Sequence, residues 1–255
     1  MNSATRRGTI LITGASSGLG EEMARQFADL GYDLGLCARR VERLEALKAE
    51  ITAKHPDARV ELRALDVNDD DAVFRVFKEL AAAFGTLDRV IINAGLGKGA
   101  PLGTGRYDAN RATAMTNFVA ALAQSEAAME IFRAQGSGHL VMISSISALR
   151  GMRKTITAYA ATKAGVAALA EGLLNENVKA KGIDVSIIYP GYIRSEMNEK
   201  VAQQAKFMVD TKTGVRSMVS AIEKRKEKAY VPAWPWVPIG FALKNAPMSV
   251  VRKLV

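Results

Sequence analysis

The chain has 255 residues, 49% of them hydrophobic, enough to close one substantial core in a single domain spanning residues 1–255. One cysteine, Cys37, excludes an intramolecular disulfide framework and a multi-cysteine metal site, and His55 and His139, read as surface or edge residues, cannot complete a metal cluster. The net charge of +9 is uneven: from Lys200 onward eleven Lys and Arg face three Asp and Glu, leaving +1 for residues 1–199. No Cys/His finger or aromatic RNA-binding signature accompanies this basic end, so no nucleic-acid partner is expected. Anionic lipid, an acidic carrier protein or a phosphorylated substrate fit it at least as well.

The first apolar run, Thr9 to Thr13, breaks at Thr13-Gly14 instead of continuing as a signal-peptide core or membrane span, which predicts a cytoplasmic protein whose first strand begins almost at once. The next residues, TGASSGLGEEMARQF, set Gly14, Ser16, Ser17, Gly18, Leu19 and Gly20 between that strand and an amphipathic helix. In such a turn backbone amides and a helix N-terminus can meet a pyrophosphate, and glycine leaves the room that a Cβ would fill. The spacing is Gly-x-x-x-Gly-x-Gly, shifted from the better-known Gly-x-Gly-x-x-Gly. A second strand, Asp33 to Ala38, runs into Arg39-Arg40 with no acid. At this position in a dinucleotide fold an acid holds the adenosine ribose, whereas an arginine accommodates a 2′-phosphate. The sequence therefore predicts NADP(H), with Arg39 first and Arg40 as its support or as a solvated helix-start residue.

Farther along, strand-like runs at Val60 to Leu65, Arg89 to Asn93, His139 to Ser144, Asp184 to Tyr189 and Ala229 to Pro232 alternate with helical patterns such as Val41, Leu44, Leu47, Ile51 and Val73, Val76, Phe77, Leu80, Phe84. Strand, helix and strand in repetition predict a Rossmann-like α/β fold, a doubly wound parallel sheet of about seven strands with helices on both faces. An alanine-rich helix over ITAYAATKAGVAAL carries Tyr159 and Lys163 on one face, a spacing that also arises by chance with both side chains solvated. Beyond Pro190 the rhythm changes. Arg194 to Lys228 reads as two helices divided near Thr211 to Gly214, on the substrate side of the fold.

Together these motifs resemble the short-chain dehydrogenase/reductase family. TGASSGLG is similar to its cofactor turn, Asn93-Ala94-Gly95 to its fourth-strand motif, Ser144-Ser145 to its catalytic-serine strand end, Tyr159-Ala-Ala-Thr-Lys163 to its active-site helix, and Pro190-Gly191 to the turn after its sixth strand. The resemblance implies Tyr159 as proton donor, Lys163 as its electrostatic helper with a hold on the nicotinamide ribose, Ser145 as carbonyl orienter, and Asn117 as holder of a water in the proton relay. It also implies Asp66 and Val67 at the adenine edge, Asn93 tying strands below the nicotinamide, the Ile193 amide at the carboxamide, and Ser195 where threonine is common. Thirteen residues separate Ser145 from Tyr159, one more than is usual in the family, so counting leaves Ser144, Ser145 and Ser147 open. Alternation along a continuing strand would give Ser145 and Ser147 one face and turn Ser144 away. Ser145 is preferred, with the extra residue absorbed in ALRGMRKTI.

Reduction of a ketone or aldehyde builds negative charge on oxygen, which calls for a proton and hydrogen-bond donors. An ammonium about 4 Å from the phenol is expected to favour the phenolate by about 4 kcal/mol at an effective dielectric near 20. The expected protein is an NADP(H)-dependent carbonyl reductase or alcohol dehydrogenase, a homodimer or homotetramer acting on a small, lipid-like or 3-oxoacyl substrate. A catalytically silent dinucleotide-binding regulator is the alternative. Substrate walls are expected from Leu96 to Arg106, Ala148 to Ile156 and Tyr192 to Phe207. The tail, YVPAWPWVPIGFALKNAPMSVVRKLV, sets Trp234, Trp236 and Phe241 beside basic residues. It reads either as a peripheral membrane anchor or as a segment that packs on its own core, covers the substrate opening or meets a subunit; its prolines and Lys244 argue against a spanning helix.

Overall fold

The computed structural model describes residues 6–97, 99–197 and 207–254. Strands β1 (Thr9–Thr13), β2 (Asp33–Ala38), β3 (Val60–Ala64), β4 (Arg89–Ile92), β5 (Gly138–Ile143), β6 (Ile183–Pro190) and β7 (Lys228–Val231) form one parallel sheet in the order β3-β2-β1-β4-β5-β6-β7. Each lies within one residue of its predicted ends. Every residue of β1, β4 and β5 is buried, which is why these strands read as unbroken apolar runs without alternation.

Helices α1 (Gly18–Asp29) and α2 (Val41–Lys54) cover one face with α7 (Thr211–Glu223), around Phe27, Leu44, Leu47, Met218 and Ile222. Helices α3 (Asp70–Phe84), α5 (Ala120–Gln135) and α6 (Thr157–Asn175) cover the other, around Phe77, Leu80, Phe132 and Val166. Helix α4 (Tyr107–Ala114) runs into α5 through a single π turn, Met115–Val119. The chain winds outward from β1 to β3, returns to β4 beside β1, and winds the other way to β7. The connections after β1 and β4 therefore diverge and open a crevice at the carboxyl ends of the strands.

In the Arg194–Lys228 segment the structure differs from expectation. The predicted break is where α7 begins, capped by Asp210, whose Oδ1 accepts from the Thr213 amide at 2.8 Å. The helix expected before it falls largely on residues 198–206, outside the described residues. The tail folds as α8 (Ala233–Asn245) and α9 (Met248–Leu254).

His139 is corrected. It is fully buried on β5, in register with Arg89 and Asp184. Arg89 Nε donates to Nδ1 at 2.9 Å, so the imidazole proton sits on Nε2, 2.8 Å from Ser186 Oγ. Arg89 also pairs with Glu223 at 2.7 Å, and Tyr32 donates to the same carboxylate at 3.0 Å. Burial, reinforced by the Arg89 charge, pushes the imidazole from 6.5 down to about 2. The unfolded chain takes up this proton near pH 6.5 and the folded chain does not until about 2, so acid favours unfolding across that window. Urea unfolding is expected to show stability falling below pH 6.5 by up to about 1.4 kcal/mol per pH unit from this residue. His139→Gln should be less stable at neutral pH but flatter below about pH 6.5, where the wild-type chain begins to lose this contribution; an unchanged slope would rule the residue out as its source.

Candidate active site

The glycine-rich turn is built on Thr13. Its hydroxyl accepts from the amides of Asn93 and Ala94 at 3.1 and 3.2 Å, while Asn93 Nδ2 donates to the carbonyls of Thr13 and Gly14 at 3.0 and 3.4 Å. Gly14 has φ +66, and a Cβ there would lie 2.8 Å from Ala94 Cα. A Cβ on Gly20 would lie 2.4 Å from the Gly14 carbonyl oxygen. Ser17 precedes α1 without capping it, because its hydroxyl accepts from Arg40 Nη2 at 2.7 Å instead. The first-turn amides of α1 thus have no side-chain acceptor, and the cradle beside them is walled by backbone that only glycine permits. This fits a diphosphate.

At the ends of β2 and β3, Arg39 is two-thirds exposed and lies 4.0 Å from Asp66, whose Oδ1 accepts from the amide of Asn68 at 3.0 Å. Arg40 is not a solvated helix-start residue. It is folded onto Ser16 and Ser17 and ion-paired at 3.3 Å with Glu196, which also holds Arg43 at 2.5 Å. The pairing of Glu196 was missed in the sequence because its partners lie more than 150 residues away.

On the other side of the crevice β5 ends at Ile143, and the chain turns at once into a 3-10 turn, Ile146–Leu149, for which Ser145 is the N-cap. The expected continuation of the strand does not occur. Ser144 nonetheless points away, its hydroxyl donating to the Lys163 carbonyl at 2.8 Å, while Ser147 Oγ donates to Ser145 Oγ at 3.0 Å. Ser145 and Tyr159 line the same cavity, with the serine hydroxyl near enough to the phenol to favour its ionised form. Tyr159 is half-buried with its hydroxyl enclosed.

Lys163 is buried beneath it, its Nζ donating to the Ile143 carbonyl at 2.8 Å and lying 6.0 Å from the Tyr159 ring centroid. Burial lowers the ammonium to about 8. The phenol stands above its ordinary value because burial outweighs the opposing influence of the nearby Ser145 hydroxyl. The acidification expected from a lysine at contact distance is therefore not met in this geometry.

Asn117 sits on the π turn, a local widening of the helix common at functional sites. Its Oδ1 accepts from the Leu96 amide at 2.6 Å and its Nδ2 donates to the Leu96 carbonyl at 2.9 Å. It thereby fixes the backbone just past Gly95, where a Cβ would lie 3.2 Å from Asn117 Oδ1.

One cavity is lined by Gly14, Ser16, Ser17, Gly18, Leu19, Arg39, Arg40, Asp66, Val67, Asn93, Ala94, Gly95, Ser145, Tyr159, Lys163, Pro190, Gly191, Ile193 and Ser195. Gly20 and Asn117 alone among the predicted positions stand outside this lining, and both brace residues that belong to it. Asn68 and Thr116 join the lining without having been predicted, while Leu96, Glu196 and Met197 come from the expected substrate walls. The two outer loops meet at Gly99, where a Cβ would lie 2.0 Å from the Thr155 carbonyl oxygen.

A family model described as short chain dehydrogenase matches residues 8–206. An uncharacterized oxidoreductase of Mycobacterium tuberculosis is 52% identical over 253 residues, covering 99% of each chain. A short-chain dehydrogenase from Sphingobium yanoikuyae, solved in complex with NADPH, is 26% identical with a TM-score of 0.82, covering 96% of this chain and 95% of that one. A short chain dehydrogenase/reductase from Burkholderia phymatum in complex with NAD is alike in fold alone, with a TM-score of 0.82 at 19% identity over 98% of this chain and 95% of that one. With its sheet order, its glycine cradle and these likenesses, the chain belongs to the short-chain dehydrogenase/reductase family and is an oxidoreductase.

Proposed function

We propose that the protein is an NADP(H)-dependent oxidoreductase interconverting a carbonyl and a secondary alcohol. The observation that carries the reading is the convergence of Ser145, Tyr159 and buried Lys163 at one end of a cavity whose other end holds Arg39 and Arg40. Strands β2 and β5 are three positions apart in the sheet, which separates these ends by about 14 Å. The amides of the α1 first turn lie between them, on the β1 side.

The chemistry supplied by bound NADPH is hydride donation to a carbonyl carbon. Tyr159 donates the proton to the oxygen that gains charge, and a phenol raised by burial stays protonated and ready at neutral pH. Ser145, lining the cavity beside Tyr159, aligns that oxygen and donates to it. Lys163, held by the Ile143 carbonyl, retains most of its charge at neutral pH and stabilises the phenolate left behind. Both ends of the Asn117 side chain are engaged by Leu96, so a relay water would meet its backbone rather than its amide. Tyr192, Met197 and Phe207 stand exposed, favouring an apolar substrate over a charged one. The catalytic groups all lie within this one chain. The same reading places the protein in the cytoplasm as a homodimer or homotetramer, with Val119 and Leu122 exposed as an apolar contact face. Nothing favours the silent regulator.

The test is nicotinamide absorbance against a panel of ketones, aldehydes and 3-oxoacyl thioesters with each cofactor. NADPH is expected to show the lower KM, and preference for NADH would overturn the phosphate assignment. A charge-assisted hydrogen bond is worth about 1.5–3 kcal/mol, so Arg39→Ala and Arg40→Ala should each raise the KM for NADPH by about 10- to 150-fold and leave that for NADH nearly unchanged.

A further inference from the structure

Helix α8 has two faces of different chemistry. Trp236 and Leu243 turn inward and pack with Ile146, Leu149 and Met152. Outward, Trp234 and Phe241 are 78% and 72% exposed, and Val237 lies between them at 46%. Val237, Phe241 and Lys244, spaced four and then three residues apart, share one stripe of the helix, while Trp234 stands exposed on the extended backbone that precedes its regular turns (φ −99, ψ 132). Met248 and Val250 extend the exposed apolar surface onto α9.

Cations predominate around this surface, the carboxylate nearest Lys244 being Glu171, which is itself paired to Lys228 at 2.7 Å. From Ala233 to Val255 there is no Asp or Glu, while Lys244, Arg252 and Lys253 are present. Across from α8, Arg150 donates to the Lys244 carbonyl at 3.5 Å, and Arg153 and Lys154 stand exposed on the same loop. Among the described residues none of Lys244, Arg252, Arg150, Arg153 and Lys154 has a carboxylate partner. No helix among the described residues is long and apolar enough to cross a membrane. An indole at the start of α8 and a phenyl ring on its helical turns, beside cations that lack carboxylate partners among the described residues, match the interface of an anionic bilayer, where rings enter the headgroup boundary and cations meet lipid phosphates.

The inner face of α8 joins this surface to the reaction site. Trp236 packs edge-on against Tyr192 with centroids 5.2 Å apart, and so closely over Gly191 that a Cβ there would lie 2.1 Å from its Nε1. Ile146 and Leu149, on the turn that Ser145 caps, pack against Gly240. Docking the outer stripe therefore holds the mouth of the cavity against the lipid boundary. We infer that the outer face of α8 and α9 binds an anionic membrane surface and that the substrate is an apolar carbonyl compound dissolved in that membrane, an assignment that rests on the carbonyl-reductase reading above.

The test is flotation with vesicles of phosphatidylcholine alone or mixed with phosphatidylglycerol, read alongside activity. The protein should float with the mixed vesicles, float weakly with phosphatidylcholine, and be released by salt. Its tryptophan emission should shift to the blue through Trp234, since Trp236 is already 4% exposed. A Trp234→Ser/Phe241→Ser double variant should lose at least about tenfold in partitioning while reducing a water-soluble ketone at the wild-type rate. Only the unmodified chain should be stimulated by the mixed vesicles toward a long-chain ketone carried in them. Tyr159→Phe should float normally without turning over, which separates failure of docking from failure of the enzymatic reading. Docking is overturned if the mixed vesicles do not bind or if the double variant floats unchanged. It is equally overturned if light scattering shows the double variant breaking a lipid-independent dimer. Flotation without stimulation on the vesicle-borne ketone overturns the substrate assignment.

Discussion

Tyr159→Phe is expected to lower carbonyl reduction by about 10²- to 10⁴-fold, the usual contribution of a positioned proton donor, with NADPH affinity unchanged. The ring keeps its place because the substitution removes only the phenolic hydroxyl. The glycine cradle, Arg40 with Ser17, and the Lys163–Ile143 hydrogen bond do not depend on that oxygen. Stopped-flow turnover should collapse while a fluorescence titration with NADPH stays where it was. Wild-type turnover in this variant would remove Tyr159 from the reaction, whereas a joint loss of turnover and cofactor affinity would mean that the phenol serves binding.

Gly20→Ala should produce the converse defect. Its Cβ would stand 2.4 Å from the Gly14 carbonyl oxygen and 2.6 Å from Asn93 Nδ2, and the first of these is backbone that cannot swing aside. The turn must open, at the about 1–3 kcal/mol typical of overpacking, and the amides of α1 leave the phosphate position. NADPH affinity by calorimetry should weaken by about 5- to 150-fold, with kcat at saturating cofactor largely retained, because Ser145, Tyr159 and Lys163 lie beyond the switch point, on the turn after β5 and on α6. An unchanged affinity would show that the turn does not carry the phosphate.

The strands were legible because burial on both faces leaves a local mark, a run of apolar residues ending in glycine, as at Thr9–Thr13 before Gly14. The Tyr159–Lys163 pair was legible because one helical turn encodes it. Contacts made through the fold were not. His139 looked like an edge residue because Arg89, 50 positions away, gives no local sign of bonding to it, and Glu223, paired with that arginine, is farther still. The ranking of Arg39 over Arg40 missed the hydrogen bonds from Arg40 to Ser16 and Ser17, which depend on how the first turn returns past the end of β2. Asn117 was found by resemblance, but its grip on Leu96 comes from a π turn that no periodicity announces. Ser145 was preferred on strand alternation, whereas its orientation in the structure comes from an N-cap.

Ser144 and Lys163 exchange favours across the seam between β5 and α6: the serine hydroxyl bonds the lysine carbonyl, and the lysine ammonium bonds the Ile143 carbonyl. Rotating α6 about its axis would tear both links together, so the aim of Tyr159 is locked to the sheet and does not wait for a visitor to set it. Whatever breadth of substrates this protein tolerates must come from its outer loops, with the chemical end serving as a fixed anvil.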